Sequence, residues 1–181
     1  MAENDNDVLK RYLVDSIAAE RSFESQLRSF AGEGDDAEVQ ALFSRHAEET
    51  RLQQARLAER LEQLGGSTSA AKEFLAQFLS HAPAAAKVTH IEEEKVVQNL
   101  LIAYAVESSE CALYESLATV ANALGDITTE KLARTIQQEE IKTAEAIWHF
   151  LPSRSKIAFN MLTAGEVDPA VVTRAVEDRL V

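Results

Sequence analysis

The sequence contains few of the residues that interrupt or cross-link a fold. Its 181 residues include six glycines, three prolines and one cysteine, Cys111. A single cysteine excludes an internal disulfide, and low cysteine usage is typical of a reducing compartment. So little glycine and proline, beside abundant alanine, leucine and glutamate, favours an all-α fold, because those three residues are strong helix formers.

Positive charge and long apolar runs are also scarce. The net charge of −12 argues against a nucleic-acid partner, because phosphate binding needs a basic surface. No apolar run reaches the roughly 20 residues of a membrane span, and the first seven residues are acidic, unlike a signal peptide. With 46% hydrophobic and 27% charged residues, the composition predicts a globular, cytoplasmic protein without a membrane partner.

Glycines divide the periodic part of the chain into four segments. We predict helices at about 5–31, 36–64, 91–124 and 128–150. Helices one and two are joined by a tight turn, as are three and four, whereas residues 65–90 form a long connection with a short helix around 70–80. Two antiparallel hairpins and one long crossover favour a ferritin-like four-helix bundle over the other bundle topologies, which stay open.

The periodicity breaks after Leu151 and Pro152. We therefore predict a bundle over residues 1–151 and a helical C-terminal extension over 152–181, with short helices at about 153–163 and 168–180. This extension either docks on its own bundle or packs on a second subunit.

Each predicted helix places glutamate on its apolar stripe. These residues are Glu20, Glu49, Glu107 with Glu110, and either Glu139 or Glu140. In an antiparallel bundle such mid-helix positions meet at one level, and a buried carboxylate there must take up a proton or find a cation. The helices supply few cations of their own, so the pattern predicts a bound metal.

The chemistry of the donors narrows the choice of metal. Carboxylates are hard oxygen ligands that bridge two ions, and they suit iron, manganese or magnesium. Tyr104 and Tyr114, about a turn away, either bond a ligand or donate an electron, or are ordinary core aromatics, which is the commoner case. His46 on its own is more often a core histidine than a ligand, and Cys111 is a small core residue.

Four stretches resemble the ferritin-like stress proteins of the YciE/YciF family. They are Tyr12–Glu20, His46–Thr50, Ala105–Gly125 and Gln137–Glu145, and the resemblance extends over roughly residues 5–150. It implies a ferritin-like bundle, often dimeric, with a dinuclear metal centre and no established reaction. Carried over by position, the ligands it implies are Glu20, Glu49, Glu107, Glu110 and Glu140.

The sequence departs from the ferritin-like pattern in its nitrogen donors. Other ferritin-like di-iron proteins use Glu-x-x-His on the second and fourth helices, but here Glu49 is followed by Leu52 and Glu140 by Thr143. Loss of these histidines leaves a carboxylate site possible and weakens the case for iron redox chemistry.

Two functional hypotheses follow. In the first, two divalent ions, iron in the redox version, are held with Glu20 and Glu107 as terminal ligands, Glu49 and Glu140 as bridges and Glu110 as an additional ligand. Ferrous iron would then be oxidised by oxygen or peroxide in a stress response. In the alternative, the chain is a metal-free, dimeric structural or interaction protein with protonated buried glutamates.

Overall fold

The computed structural model describes residues 4–68 and 91–164, in which the chain forms four helices. These are α1 (Asp5–Ala31), α2 (Ala37–Gln63), α3 (Glu92–Ala123) and α4 (Ile127–Thr163). α1 packs against α2 and α3 against α4, and the two hairpins meet through α1 with α3 and α2 with α4. The predicted ferritin-like antiparallel four-helix bundle is confirmed, and most of the predicted crossover, residues 65–90, lies outside the described part of the chain. The short helix predicted around 70–80 lies outside the described residues.

Local sequence explains where the helices begin and end. The side chains of Asn4, Asp36 and Asp126 accept hydrogen bonds from backbone N–H groups in the first turns of α1, α2 and α4. Gly125 ends α3 with φ of 72°, a left-handed conformation that glycine adopts without steric cost. The tight turn between α3 and α4 therefore aligns the two helices antiparallel.

The predicted break at Pro152 is wrong, because α4 continues through it to Thr163. A proline removes one backbone donor, which would have bonded the carbonyl four residues earlier. Pro152 lies on the exposed side of the helix, where water can satisfy that carbonyl. Arg154, two residues later, bonds Asp36 at the start of α2 and holds the extended helix against the bundle (Nε–Oδ2 2.7 Å). The rest of the predicted extension, residues 165–181, lies outside the described part of the chain.

Two apolar clusters fill the ends of the bundle. One contains Leu9, Leu13, Ile17, Leu57, Leu61, Leu117 and Ile136, with Tyr114 at its edge. The other contains Phe23, Leu27, Phe30, Leu42, Phe43, Leu100 and Ile147. Polar side chains lie between the clusters, halfway along the helices, and we call them the polar layer: Glu20, His46, Gln53, Glu107, Glu110, Glu140 and Thr143. Among the described residues, no helix is long and apolar enough to cross a membrane.

Candidate metal centre

Four of the predicted glutamates lie in the polar layer with almost no exposed surface. Glu20 is 1% exposed, Glu107 0%, Glu110 3% and Glu140 0%. They come from α1, α3 and α4. Each lies three or four residues from buried apolar residues of its own helix, so it is on the helix face that points into the bundle. The structure therefore brings together four of the five predicted ligands.

Glu49 does not lie with them. Its side chain is 49% exposed, and its Oε2 lies 3.4 Å from His46 Nδ1. The expectation that Glu49 faces the core is wrong, because it sits at the rim of the buried face of α2. The sequence left open whether Glu139 or Glu140 faces the core. Glu140 is buried, whereas Glu139 is 38% exposed and pairs with Arg56.

His46 is the functional residue that sequence reasoning undervalued. It is 2% exposed, and its Nε2 lies 2.5 Å from Glu107 Oε1 and 3.9 Å from Glu140 Oε2. The ligand atoms of these three side chains all lie within 4.8 Å of one another, a spacing at which one ion contacts all three. The signal was present in the sequence, since His46 lies on the same helix face as Gln53 and Leu57.

The imidazole has polar neighbours on its other side. Nδ1 lies 3.4 Å from Glu49 Oε2 and 3.4 Å from Thr143 Oγ1. Burial disfavours the charged ring, but contacts with Glu107 and Glu49 raise the pKa of His46 to about 9, so without a metal the ring carries a hydrogen on both nitrogens at neutral pH. An ion bound at Nε2 would replace the hydrogen there and leave the Nδ1 hydrogen directed at Glu49, as in a histidine that ligates a metal.

Two further donors reach the buried carboxylates from neighbouring helices. The Tyr114 hydroxyl donates to Glu20 Oε1, and the Gln53 amide donates to Glu140 Oε1. Tyr114 has no exposed surface, so its phenol is part of the site rather than only an apolar core group. Each donor satisfies one carboxylate oxygen and leaves the other without a partner.

An ion pair at the surface supports Gln53. Arg56 contacts Glu139 through two nitrogens, at 3.0 Å and 2.5 Å. The same carboxylate accepts from Gln53 Nε2 at 3.2 Å. The amide of Gln53 is therefore held between Glu139 outside and Glu140 inside, which fixes the direction of its hydrogens.

Burial and mutual repulsion disfavour the ionised carboxylates in the absence of a cation. Burial raises the pKa of Glu20 to about 8, although the Tyr114 hydroxyl and His46 oppose the shift. Burial likewise raises the pKa of Glu110, and the charges of Glu20 and Glu107 raise it further. Burial and contact with Glu107 raise the pKa of Glu140.

Many ligand-type atoms of the polar layer lack any hydrogen-bond partner. They are Glu20 Oε2, His46 Nε2, Glu140 Oε2 and both carboxylate oxygens of Glu107 and of Glu110. His46 Nε2 is among them because its short contact with Glu107 lacks hydrogen-bond geometry. Buried polar atoms are nearly always paired, so an unpaired group of oxygen and imidazole donors fits a divalent ion.

A groove between α2 and α4 leads to this layer from solvent. Its volume is about 770 Å³, and its lining includes Arg45, His46, Leu52, Lys142 and Thr143. His46 thus faces the groove with one side of its ring and the buried carboxylates with the other. Of the polar-layer residues, His46 and Thr143 line the groove, which therefore ends at this side of the layer.

The fold and this cluster define a ferritin-like four-helix bundle protein with a buried group of one histidine and several glutamates. The chain belongs to the family described as "Domain of unknown function (DUF892)", which matches residues 4–159. No curated protein matches the chain.

Solved structures of similar fold include two bacterial proteins. The chain is similar to a protein from Xanthomonas campestris pv. campestris, with 25% identity, a TM-score of 0.69 and coverage of 90% of this chain and 99% of that one. It is also similar to the Escherichia coli stress protein YciF, with 22% identity, a TM-score of 0.69 and coverage of 86% and 99%. These likenesses agree with the YciE/YciF resemblance found in the sequence.

A third similar structure is the Dps protein from Vibrio cholerae O1, described as a member of a broad superfamily of ferritin-like diiron-carboxylate proteins. Its identity is 19%, its TM-score is 0.66, and the match covers 83% of this chain and 98% of that one. At this identity the likeness concerns the fold.

Proposed function

We propose that this protein binds two divalent metal ions in the polar layer and oxidises ferrous iron there. The ligands are Glu20, His46, Glu107, Glu110 and Glu140. The observation that carries the proposal is the set of unpaired oxygen and nitrogen atoms on these five side chains, which share one buried layer. The diiron-carboxylate description of the Vibrio cholerae structure supports the same assignment.

The alternative occupant of the layer is protons alone. Protons can neutralise Glu20, Glu110 and Glu140, whose pKa values are raised. A proton on each carboxyl still needs an acceptor, and burying unpaired polar atoms costs about 1–3 kcal/mol each. Divalent ions satisfy several of these atoms at once, which favours the metal-binding hypothesis over the metal-free one.

The donor set suits iron oxidation. Carboxylate oxygens are hard donors, and their negative charge favours the ferric product over ferrous iron. His46 supplies a nitrogen donor, so the loss of both Glu-x-x-His motifs does not leave the site without one. With peroxide as oxidant, two ferrous ions, one peroxide and two protons give two ferric ions and two waters.

The wider setting is part of the same proposal. One similar structure is named a stress protein, which supports a role in stress. The cytoplasm as the place of that role is proposed from the sequence composition alone. We also propose a homodimer, to be checked by the solution mass of the purified protein.

The test is iron binding and oxidation by the full chain. After anaerobic loading with ferrous iron and desalting, we expect about two retained ions per chain, and faster ferric absorbance on adding peroxide than in buffer. The double variant Glu107→Gln with Glu140→Gln should retain little iron and lose the rate enhancement.

A matched control distinguishes the loss of carboxylates in the polar layer from the loss of negative charge elsewhere on the protein. The double variant Glu48→Gln with Glu115→Gln removes the same charge from exposed positions of α2 and α3. It should behave as the wild type. Wild-type protein that retains no iron, manganese or magnesium would leave only the metal-free structural role, and retained iron without faster oxidation would limit the function to binding.

A further inference from the structure

Polar neighbours divide the ligands of the polar layer into two kinds. Glu20, His46 and Glu140 each have one polar atom beside a polar neighbour, which is Tyr114, Glu49 and Gln53, respectively. Each of the three has one atom left that lacks a partner. These side chains therefore offer one donor atom apiece to an ion.

The two glutamates of α3 differ from those three. Glu107 and Glu110 are buried, and neither oxygen of either carboxylate makes a well-formed hydrogen bond, although Glu107 Oε1 lies 2.5 Å from His46 Nε2. Each can therefore bind through both oxygens. A carboxylate with two free oxygens either chelates one ion or bridges two.

Position separates Glu107 from Glu110. Glu107 belongs to the tight group with His46 and Glu140, whose ligand atoms lie within 4.8 Å of one another, and Glu110 does not. Glu110 lies one helical turn after Glu107 and one turn before Tyr114, whose hydroxyl donates to Glu20 Oε1. Along α3, Glu107 therefore lies beside His46 and Glu140, and Glu110 lies on the side of Tyr114 and Glu20.

We infer that Glu107 is the single carboxylate shared by two different metal subsites. The first subsite consists of His46 Nε2, Glu140 Oε2 and one oxygen of Glu107. The second consists of Glu20 Oε2, the Glu110 carboxylate and the other oxygen of Glu107. Tyr114, Gln53 and Glu49 are positioning residues that keep their partners as one-atom ligands. This inference rests on the proposed metal centre and replaces the sequence-based expectation of Glu49 and Glu140 as bridges.

The subsites differ in donor chemistry. The first contains a nitrogen ligand, and the second contains only carboxylate oxygens. A spectroscopic probe that detects nitrogen can therefore identify which subsite an ion occupies. Mn²⁺ is suitable, because imidazole nitrogen modulates its pulsed electron paramagnetic resonance signal.

The experiment measures Mn²⁺ stoichiometry and nitrogen modulation in the full chain and three Glu→Gln variants. The wild type should bind two ions. Glu110→Gln should keep about one ion with nitrogen modulation, and Glu140→Gln about one ion without it. Glu107→Gln, which changes the shared ligand, should weaken both ions by at least tenfold.

Glu107→Gln and Glu110→Gln are matched controls for each other, since both change a buried carboxylate of α3 one helical turn apart. If Glu107→Gln fails to fold, Glu107→Asp keeps the charge, and its shorter side chain should still weaken both ions. Helical circular dichroism checks the fold of each variant.

Several results would overturn the inference. They are an ion kept at wild-type affinity in Glu107→Gln, the loss of both ions in Glu140→Gln, and nitrogen modulation that persists in Glu140→Gln but not in Glu110→Gln. A wild type that binds a single ion overturns the two subsites and leaves the metal centre in place. A wild type that binds none overturns the proposed function as well.

Discussion

A phenol without exposed surface donates its hydrogen to a carboxylate in the middle of this bundle. Tyr114 extends from α3 to Glu20 on α1, and Glu20 Oε2 is left for an ion. Donors of this kind orient a ligand and limit it to one coordination mode. Their loss leaves the ligand present but free to rotate.

We therefore predict that Tyr114→Phe weakens metal binding while the fold is kept. Loss of a hydrogen-bond partner to a ligand typically lowers metal affinity about 10–100-fold. Titration with Mn²⁺ measures this change, and circular dichroism monitors the helices. Tyr104→Phe is the control, because the Tyr104 ring packs on Trp148 at 5.3 Å rather than on a carboxylate. Equal affinity in the two variants would remove Tyr114 from the site.

Helix periodicity predicted most inward glutamates correctly and failed at the rim. Glu49 and Glu139 directly precede the buried residues Thr50 and Glu140, and one residue corresponds to a rotation of about 100° around the helix. At that angle a long side chain reaches solvent, and both residues do. The role of His46 could not be predicted from its own helix, because a histidine on an apolar stripe is identified as a possible ligand only once its neighbours on the other helices are known.

At the scale of the helices, one arginine connects the end of α4 to the beginning of α2. Arg154 donates to Asp36 through Nε at 2.7 Å and through Nη2 at 3.1 Å. Asp36 is also the N-cap of α2, accepting from the N–H groups of Glu38 and Val39 at 3.1 Å. A single carboxylate therefore caps one helix and fixes another.

Two substitutions separate these roles. Asp36→Asn keeps a capping oxygen and loses the charge, so we expect a loss of about 1 kcal/mol in the free energy of unfolding, the upper end for ion pairs near the surface, because Arg154 and Asp36 are 17% and 20% exposed. Asp36→Ala also loses the cap and should cost about 1 kcal/mol more. Chemical denaturation at pH 7 measures both. Glu38→Gln, which also contacts Arg154 but is 73% exposed, should change stability by less than about 0.5 kcal/mol.

The stability difference between wild type and Asp36→Asn should depend on pH. Hydrogen bonds from Arg154 lower the pKa of Asp36 from its ordinary value of 3.8. A lowered folded-state pKa means that the stabilisation is present above the unfolded-state pKa and is lost as pH falls through the folded-state value. The difference should therefore be constant from pH 5 to 7 and shrink below about pH 4. A difference that grows on acidification would contradict the ion pair.

This contact also explains why the end of α4 was mispredicted. Proline lowers the probability of a helix at Leu151 and Pro152 when only neighbouring residues are considered. The partner that supports the continued helix, Asp36, is more than a hundred residues away in sequence. The hairpins were predictable because Gly34 and Gly125 mark short turns, and a turn is a local feature.

For the molecule as a whole, the polar layer interrupts the apolar core at its centre. The two apolar clusters stabilise the ends of the bundle, and the unpaired carboxylates between them oppose folding in the absence of a cation. In the proposed metal centre, this arrangement lowers the stability of the metal-free bundle in favour of metal binding. The stability of the bundle should therefore depend on metal, and removal of a carboxylate should weaken that dependence.

We predict that Mn²⁺ at 100 times its dissociation constant stabilises the chelator-treated protein by about 2.7 kcal/mol for each bound ion. For a chain of this length, each ion then corresponds to a rise in Tm of roughly 5–10 °C. Glu110→Leu should stabilise the metal-free protein, because an apolar side chain replaces a buried carboxylate without partners. Such replacements often stabilise by about 1–4 kcal/mol. Its metal-free form should melt above metal-free wild type, and its response to Mn²⁺ should be smaller.

Thermal unfolding with and without Mn²⁺ tests both halves of this prediction. Glu115→Leu is the control, since Glu115 is an exposed residue of the same helix that pairs with Arg134. It should leave the response to Mn²⁺ unchanged and bring no gain in metal-free stability, because its carboxylate is already solvated. If Glu110→Leu melts below metal-free wild type and responds fully to Mn²⁺, Glu110 contributes to packing and does not bind metal. A higher Tm without metal, together with a weaker response, is the result expected of a residue retained for binding at the expense of stability.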